Sequence, residues 1–198
     1  PHIATSSFEI GDPFLEVETA LGFDLTLRRT EGPVTGEITV FRTDFDGFIY
    51  QSFTGEEEDG LAVLHWTQAD AELTGIEVHA DVQLVHTEPH HLWLEISADT
   101  VDADLDEGGG VPRVPPTRAS LGLRYTVGRW RGLAEVRWTD DADDLSEFEE
   151  ATEGSTTVNA YIGYRIVSER LIHDFLLRGT NLTNELVRNH LSLIKEVA

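Results

Sequence analysis

The sequence predicts an all-β fold of antiparallel, up-and-down strands, and three observations support this prediction. Apolar and polar residues alternate with a period of two in one segment after another, which is the pattern of strands with two different faces. The connections between these segments are alternately short and long. Apolar residues make up 40% of the 198 residues, so the composition is not that of a disordered chain.

The alternation is clearest in Val17–Arg28, where apolar side chains occupy the odd positions. The same pattern recurs in four further segments: Ile76–Leu84, Leu92–Ser97, Leu121–Val127 and Val158–Ile166. Weaker strands are predicted at Thr35–Ile49, Leu133–Thr139 and Ile172–Thr180, which gives about eight strands in all. Apolar residues at i+3 and i+4 do not persist, except in Asn184–Val197, which is interpreted as either a short helix or an irregular loop.

The connections place short turns at one end of the sheet and long loops at the other. The short connections are Arg29–Val34, Thr87–His90, Gly128–Gly132 and Ser168–Leu171. The long ones are Gln51–His65, Asp99–Arg118 and Thr139–Ser155. The long loops are acidic and the short turns are mainly basic. This arrangement is typical of an outer-membrane barrel.

Charge and composition exclude several classes of function. Lys and Arg total 14 against 37 Asp and Glu, for a formal charge of -23, which argues against nucleic acid and against a polybasic membrane anchor. The absence of cysteine excludes disulfides and thiolate sites. No apolar run is long enough for a membrane helix. Methionine is also absent and no signal peptide is visible in Pro1–Ile10, so we expect a piece of a longer chain.

Alternation alone does not say which face of the sheet is outside. A soluble barrel turns its apolar face inward, whereas a membrane barrel turns it toward lipid. Two features favour lipid: charges in the middle of strands on the polar face, and aromatic residues near strand ends. The predicted lumen-facing residues are Asp24, Glu77, His79, Asp81 and Arg124. A soluble or self-closed eight-stranded barrel that binds a small ligand stays open as the alternative.

Five segments, in order along the chain, resemble TonB-dependent outer-membrane receptors. They are Ser7–Pro13 with the following Leu15–Thr19, Phe45–Ile49, Gly75–Val78, Val111–Arg118 and Gly179–Asn184. In that family the first precedes a barrel strand, the fourth leads into a strand, and the last is similar to a near-terminal motif. Phe14 departs from the pattern, which has a polar residue after the proline.

The resemblance implies a C-terminal β-barrel portion of such a receptor. A family member has a plug domain, a box that engages TonB and a barrel of twenty-two strands. We expect residues 1–198 to be one β-barrel segment without a plug, with strands over about 15–185 and a loop or short helix over 186–198. The implied location is the outer membrane, and the implied function is uptake of a nutrient such as a metal chelate or siderophore. The implied partners are membrane lipid, the missing strands and plug, and TonB through absent regions only.

Three histidines lie together in one short turn. His86, His90 and His91 flank Glu88, and imidazole and carboxylate groups are ligands for zinc or nickel. The alternative interpretation is a polar turn in which Pro89 fixes φ. Both interpretations stay open from the sequence.

The acidic loops supply the other candidate ligands. Asp102, Asp104 and Asp106 resemble the start of a calcium loop, but the glycine and glutamate that an EF-hand needs are replaced by Glu107 and Arg113. A looser Ca²⁺ site, or a site for another divalent cation, remains the alternative to a solvated loop. A second acidic run, with Asp141, Asp143 and Asp144, is typical of a solvated surface that attracts cations. No catalytic motif accompanies these residues, and an enzyme is not predicted.

Overall fold

The computed structural model describes residues 7–106, 108–146 and 149–192, and their nine strands form one sheet. The strands are β1 (Ser7–Ile10), β2 (Thr19–Arg29), β3 (Val34–Glu58), β4 (Leu61–Thr87), β5 (His90–Leu105), β6 (Arg118–Val127), β7 (Trp130–Thr139), β8 (Ser155–Val167) and β9 (Ile172–Gly179). From β2 to β9 each strand pairs antiparallel with the next along the chain. The all-β, up-and-down prediction is therefore confirmed.

The predicted long connection Gln51–His65 is wrong, because strands β3 and β4 continue through it. Their pairing runs to Glu58 opposite Leu61, and only Asp59 and Gly60 lie between the strands. Both turn residues have positive φ, 54° at Asp59 and 77° at Gly60. Two such residues form the turn whose twist matches a hairpin, and Asp-Gly is a sequence that favours it.

The predicted connection Asp99–Arg118 is also too long. Strand β5 continues to Leu105, so the loop that follows covers residues 106–117, which we call loop A. The loop between β7 and β8, residues 140–154, is called loop B and agrees with the predicted Thr139–Ser155. The remaining short connections agree with the sequence interpretation.

One strand was not predicted. β1 pairs in parallel with the beginning of β4, from Ser7 opposite Ala62 to Ile10 opposite His65, so the described strands number nine rather than about eight. β4 can accept it there because β5 ends opposite Ala71 and leaves that edge of β4 free. The described part of Asn184–Val197, to Ser192, contains no helix, and residues 193–198 lie outside the described residues. Within the described residues, no helix is long and apolar enough to span a membrane.

The sheet does not close on itself. Among the described residues, β2 pairs only with β3 and β9 only with β8. The self-closed eight-stranded barrel is therefore wrong as an alternative.

One face of the sheet is apolar and uncovered. Its side chains form rows across the strands, such as Leu27, Ile38 and Val78 in β2, β3 and β4. Leu27 is 75% exposed and Ile38 is 45% exposed, and no large side chain among the described residues is completely buried. A soluble barrel would enclose these rows in a dry centre. The soluble alternative therefore does not fit the structure.

The small buried core lies at the long-loop end. Ala71, Ala103 and Leu105 pack with Val111 of loop A, and the rings of Phe45 and Phe48 pack against them. Alternation places Ala71, Ala103 and Leu105 on the same face as the charged residues nearer the short turns. Loop A therefore covers the end of this face.

Candidate functional site: the charged face of the sheet

The five residues predicted from the sequence to face a lumen all lie on one face, opposite the apolar rows. Glu77 pairs with Asp99, His79 with Ser97, and Asp81 with Glu95, all between β4 and β5. Arg124 pairs with Trp93, and Asp24 pairs with Phe41 of β3. The register brings Asp81 and Arg124 into one cluster and leaves Asp24 at a distance from it.

Arg124 is the centre of this cluster. Its guanidinium forms an ion pair with Glu95, and a second nitrogen lies 3.9 Å from the Asp81 carboxylate. The same guanidinium lies 4.3 Å from the centre of the Trp93 ring, in a cation–π contact. Because Asp81 and Glu95 are directly opposite each other, their charges would repel without the arginine. Arg124 therefore joins two carboxylates in one cluster on the charged face.

Further arginine–carboxylate pairs cross the strands on the same face. Arg28 lies 2.6 Å from Glu37, Arg118 lies 2.7 Å from Asp99, and Arg165 lies 2.9 Å from Asp174. These residues belong to no candidate site predicted from the sequence, although their odd or even positions along each alternating strand place them on this face. Most of the charge here is therefore paired between neighbouring strands.

An open cavity of about 530 Å³ lies at the end of this face that is formed by β7, β8 and β9. It is lined by the side chains of Arg131, Leu133, Glu135, Arg137, Tyr161 and Arg178 among others. Glu135 pairs with Arg137, and Arg131 lies 3.3 Å from Asp174. The three arginines make this groove basic, which suits contact with carboxylates or other anions.

The structure separates the three histidines of the short turn. His86 and His91 are register partners on the charged face, and their Nδ1 atoms are 3.0 Å apart. Neighbouring strand positions point to opposite faces, and His90 contacts Tyr125 on the apolar side through its Nδ1 atom. Two of the three predicted metal ligands therefore come together, and the third does not.

The structure also separates the acidic candidates, because some of them line a common cavity and others do not. A cavity of about 340 Å³ lies between loops A and B, and Asp102, Asp141, Asp143 and Asp144 line it. Asp104 and Asp106 are not among its lining residues. Asp141 Oδ1 accepts a hydrogen bond of 2.7 Å from the Gly154 amide, which gives that carboxylate a structural role. No group of three or more described His, Asp or Glu residues is placed to hold a metal ion.

A buried polar cluster joins the two loops, and nothing in the sequence pointed to it. Glu149 of loop B accepts a hydrogen bond of 2.7 Å from the Arg113 amide of loop A. His190 is buried, with its Nδ1 atom 3.0 Å from the Thr152 hydroxyl and its Nε2 atom 3.8 Å from Glu149. Arg113 and Glu149 are 36 positions apart in the chain, and Glu149 and His190 are 41 positions apart. These contacts hold the long-loop end together.

Comparisons with known proteins agree with this architecture. A solved structure, "Copper transporter OprC", matches with a TM-score of 0.81 and 18% sequence identity. The match covers 91% of this chain and 29% of that chain, so the chain spans less than a third of it. No curated protein matches the chain.

A family model gives the assignment. The model described as "TonB dependent receptor-like, beta-barrel" matches residues 2–184, which includes all nine strands. The resemblance in the sequence motifs is therefore confirmed over nearly the whole chain. The chain belongs to the TonB-dependent receptor β-barrel family, whose members are proteins of the bacterial outer membrane.

Proposed function

We propose that this chain is part of the barrel of a receptor that takes up a nutrient across the outer membrane in a TonB-dependent way. The family match over residues 2–184 carries this proposal. The uncovered apolar rows support it, because a membrane barrel needs an apolar band facing lipid. No bond is made or broken in such uptake, and the charged face carries no catalytic motif.

In this proposal the charged face lines the lumen, and the apolar rows contact the acyl chains. The ion pairs across β4, β5 and β6 then lie in a water-filled or protein-filled interior, where a charged side chain costs less free energy than it does on the lipid side. The free edges of β2 and β9 pair with other strands of the complete barrel, since an unpaired strand edge in the hydrocarbon would leave backbone groups unsatisfied.

The plug and TonB are the partners that this function needs. The basic groove of Arg131, Arg137 and Arg178 gives the inner wall a surface for acidic groups of an enclosed plug. Loops A and B form the outer end, where cargo arrives. Their aspartates attract a cationic or metal-containing nutrient, and we propose a metal chelate, such as a siderophore complex, as the cargo class.

The test of this function is uptake by cells. A strain that lacks the receptor gene is compared with its complemented strain and with a strain that lacks TonB, for accumulation of radiolabelled iron–siderophore, copper and cobalamin. We expect at least one label to require both the receptor and TonB. The control is the receptor gene with its TonB box deleted, which restores the protein in the membrane but not the uptake. Uptake that requires the receptor but not TonB would contradict the proposal.

A further inference from the structure

We propose that His86 and His91 form a binding site for a divalent transition-metal ion, with Cu²⁺ preferred, at the short-turn end of the charged face. The site lies at the opposite end of the sheet from loops A and B. It does not depend on the proposed transport function, because it is argued from the two imidazoles and their neighbours alone.

The distance between the two imidazoles fits a bound ion. Metal–nitrogen bonds in proteins are about 2.0 Å. Two nitrogen atoms 3.0 Å apart, as the Nδ1 atoms of His86 and His91 are, then subtend an angle of roughly 97° at the ion. This is closer to the right angle of tetragonal Cu²⁺ or Ni²⁺ than to the tetrahedral angle that zinc prefers. Cu²⁺ also binds nitrogen sites more strongly than Ni²⁺ or Zn²⁺.

Glu88 favours a free Nδ1 lone pair on His91. Glu88 Oε1 lies 3.4 Å from His91 Nε2, and a carboxylate there keeps the proton on Nε2 and leaves Nδ1 free as a ligand. The Gln83 amide nitrogen lies 2.9 Å from His86 Nδ1 and can donate to its lone pair, so a metal ion bound at this nitrogen would replace that hydrogen bond. The two Nδ1 atoms are 3.0 Å apart, and a metal ion between them would take the place of the proton that otherwise joins them in a hydrogen bond.

The surroundings hold His91 in place. Its ring stacks on Trp93 with ring centres 5.6 Å apart, and its side chain is only 18% exposed. The positive charge of Arg124 on the same tryptophan opposes a metal ion, but Glu95 and Asp81 neutralise it. His86 is exposed, so an ion and its water ligands can reach the pair from solvent. The site is therefore preorganised on one side and open on the other.

The test is titration of the intact receptor, purified in detergent, with Cu²⁺, followed by tryptophan quenching and by electron paramagnetic resonance of the bound ion. We expect His86→Ala to weaken Cu²⁺ binding at this site by at least about tenfold, because one of two imidazole ligands is lost. The signal that is present in the wild-type spectrum and absent from the variant's spectrum is expected to show hyperfine coupling to two nitrogen atoms. His91→Gln is expected to have the same effect.

His173→Ala is the matched control. His173 is a single exposed histidine of β9 near another short turn, and its loss should leave the titration unchanged. Heat modifiability on a gel confirms that each variant is folded. Folded His86→Ala and His91→Gln receptors with wild-type Cu²⁺ affinity and an unchanged spectrum would overturn the proposal. Tighter binding of Zn²⁺ than of Cu²⁺ would overturn the stated preference.

Discussion

Replacement of Ile38 by arginine is expected to destabilise the folded barrel by up to about 4 kcal/mol, the cost of a basic side chain on the lipid-facing surface. Ile38 lies on the apolar face between Leu27 of β2 and Val78 of β4, and it is 45% exposed. No carboxylate occurs in this row on either neighbouring strand to pair with an arginine. The measurement is urea unfolding of the intact receptor in lipid vesicles, followed by heat modifiability.

The adjacent residue provides the matched control. Thr39 is one position further along β3, so it lies at the same depth on the charged face, opposite Glu77. Thr39→Arg removes the hydrogen bond of 2.9 Å between Thr39 and Thr26, which contributes about 1 kcal/mol to stability. In exchange, the new arginine lies opposite the Glu77 carboxylate. We expect the stability of this variant to stay close to that of the wild type. Equal destabilisation by the two substitutions would contradict the assignment of the faces.

Replacement of Gly36 by valine is expected to have the second large effect, because this position has neither the space nor the backbone conformation for a side chain. Gly36 pairs with Ala80 and has φ of 153°, and a Cβ atom there would lie 2.2 Å from the backbone oxygen of His79. Overpacking costs about 1–3 kcal/mol and an unfavourable φ adds about 1–3 kcal/mol. The paired β4 backbone must move, so we expect the receptor to be strongly depleted in the outer membrane.

Gly11→Ala is the control for the loss of a glycine. Gly11 has no atom within 4 Å of an added Cβ, and its φ is not positive. Quantitative blotting of outer-membrane fractions is expected to show wild-type levels for Gly11→Ala and a marked loss for Gly36→Val. Normal levels of Gly36→Val would show that the β3–β4 pairing at this end is not required.

The sequence predicted the membrane part of the fold well, because one period-two pattern governs each strand there. Val17–Arg28 was predicted and Thr19–Arg29 is observed, since lipid on one side and polar groups on the other select every second residue. The extension of β3 and β4 was missed because the acidic run from Glu56 to Asp59 resembled a solvated loop. The Asp59-Gly60 pair was the available signal for a hairpin.

Alternation in the sequence predicts on which face each side chain of the candidate site lies, but it does not predict the contacts between these side chains. Parity placed Glu77, His79 and Asp81 on one face, but it could not show that Arg124 holds Asp81 and Glu95 together, since this depends on the register between three strands. Alternation also separates His90 from His91, although the sequence predicts them as ligands of one metal site because they are neighbours in the chain. Contacts between distant loops, such as Glu149 with Arg113, leave no local pattern in the sequence. The parallel strand β1 is missed for the same reason.

The most direct test of which face meets lipid is a spin-label scan along β6. The chain contains no cysteine, so single cysteines from Ala119 to Thr126 can be introduced and labelled without a competing thiol in these 198 residues. In lipid vesicles, oxygen dissolved in the hydrocarbon is expected to relax the spin labels at residues 121, 123 and 125. A water-soluble nickel complex is expected to relax the spin labels at residues 120, 122 and 124. The opposite alternation, or the absence of alternation, would contradict the account.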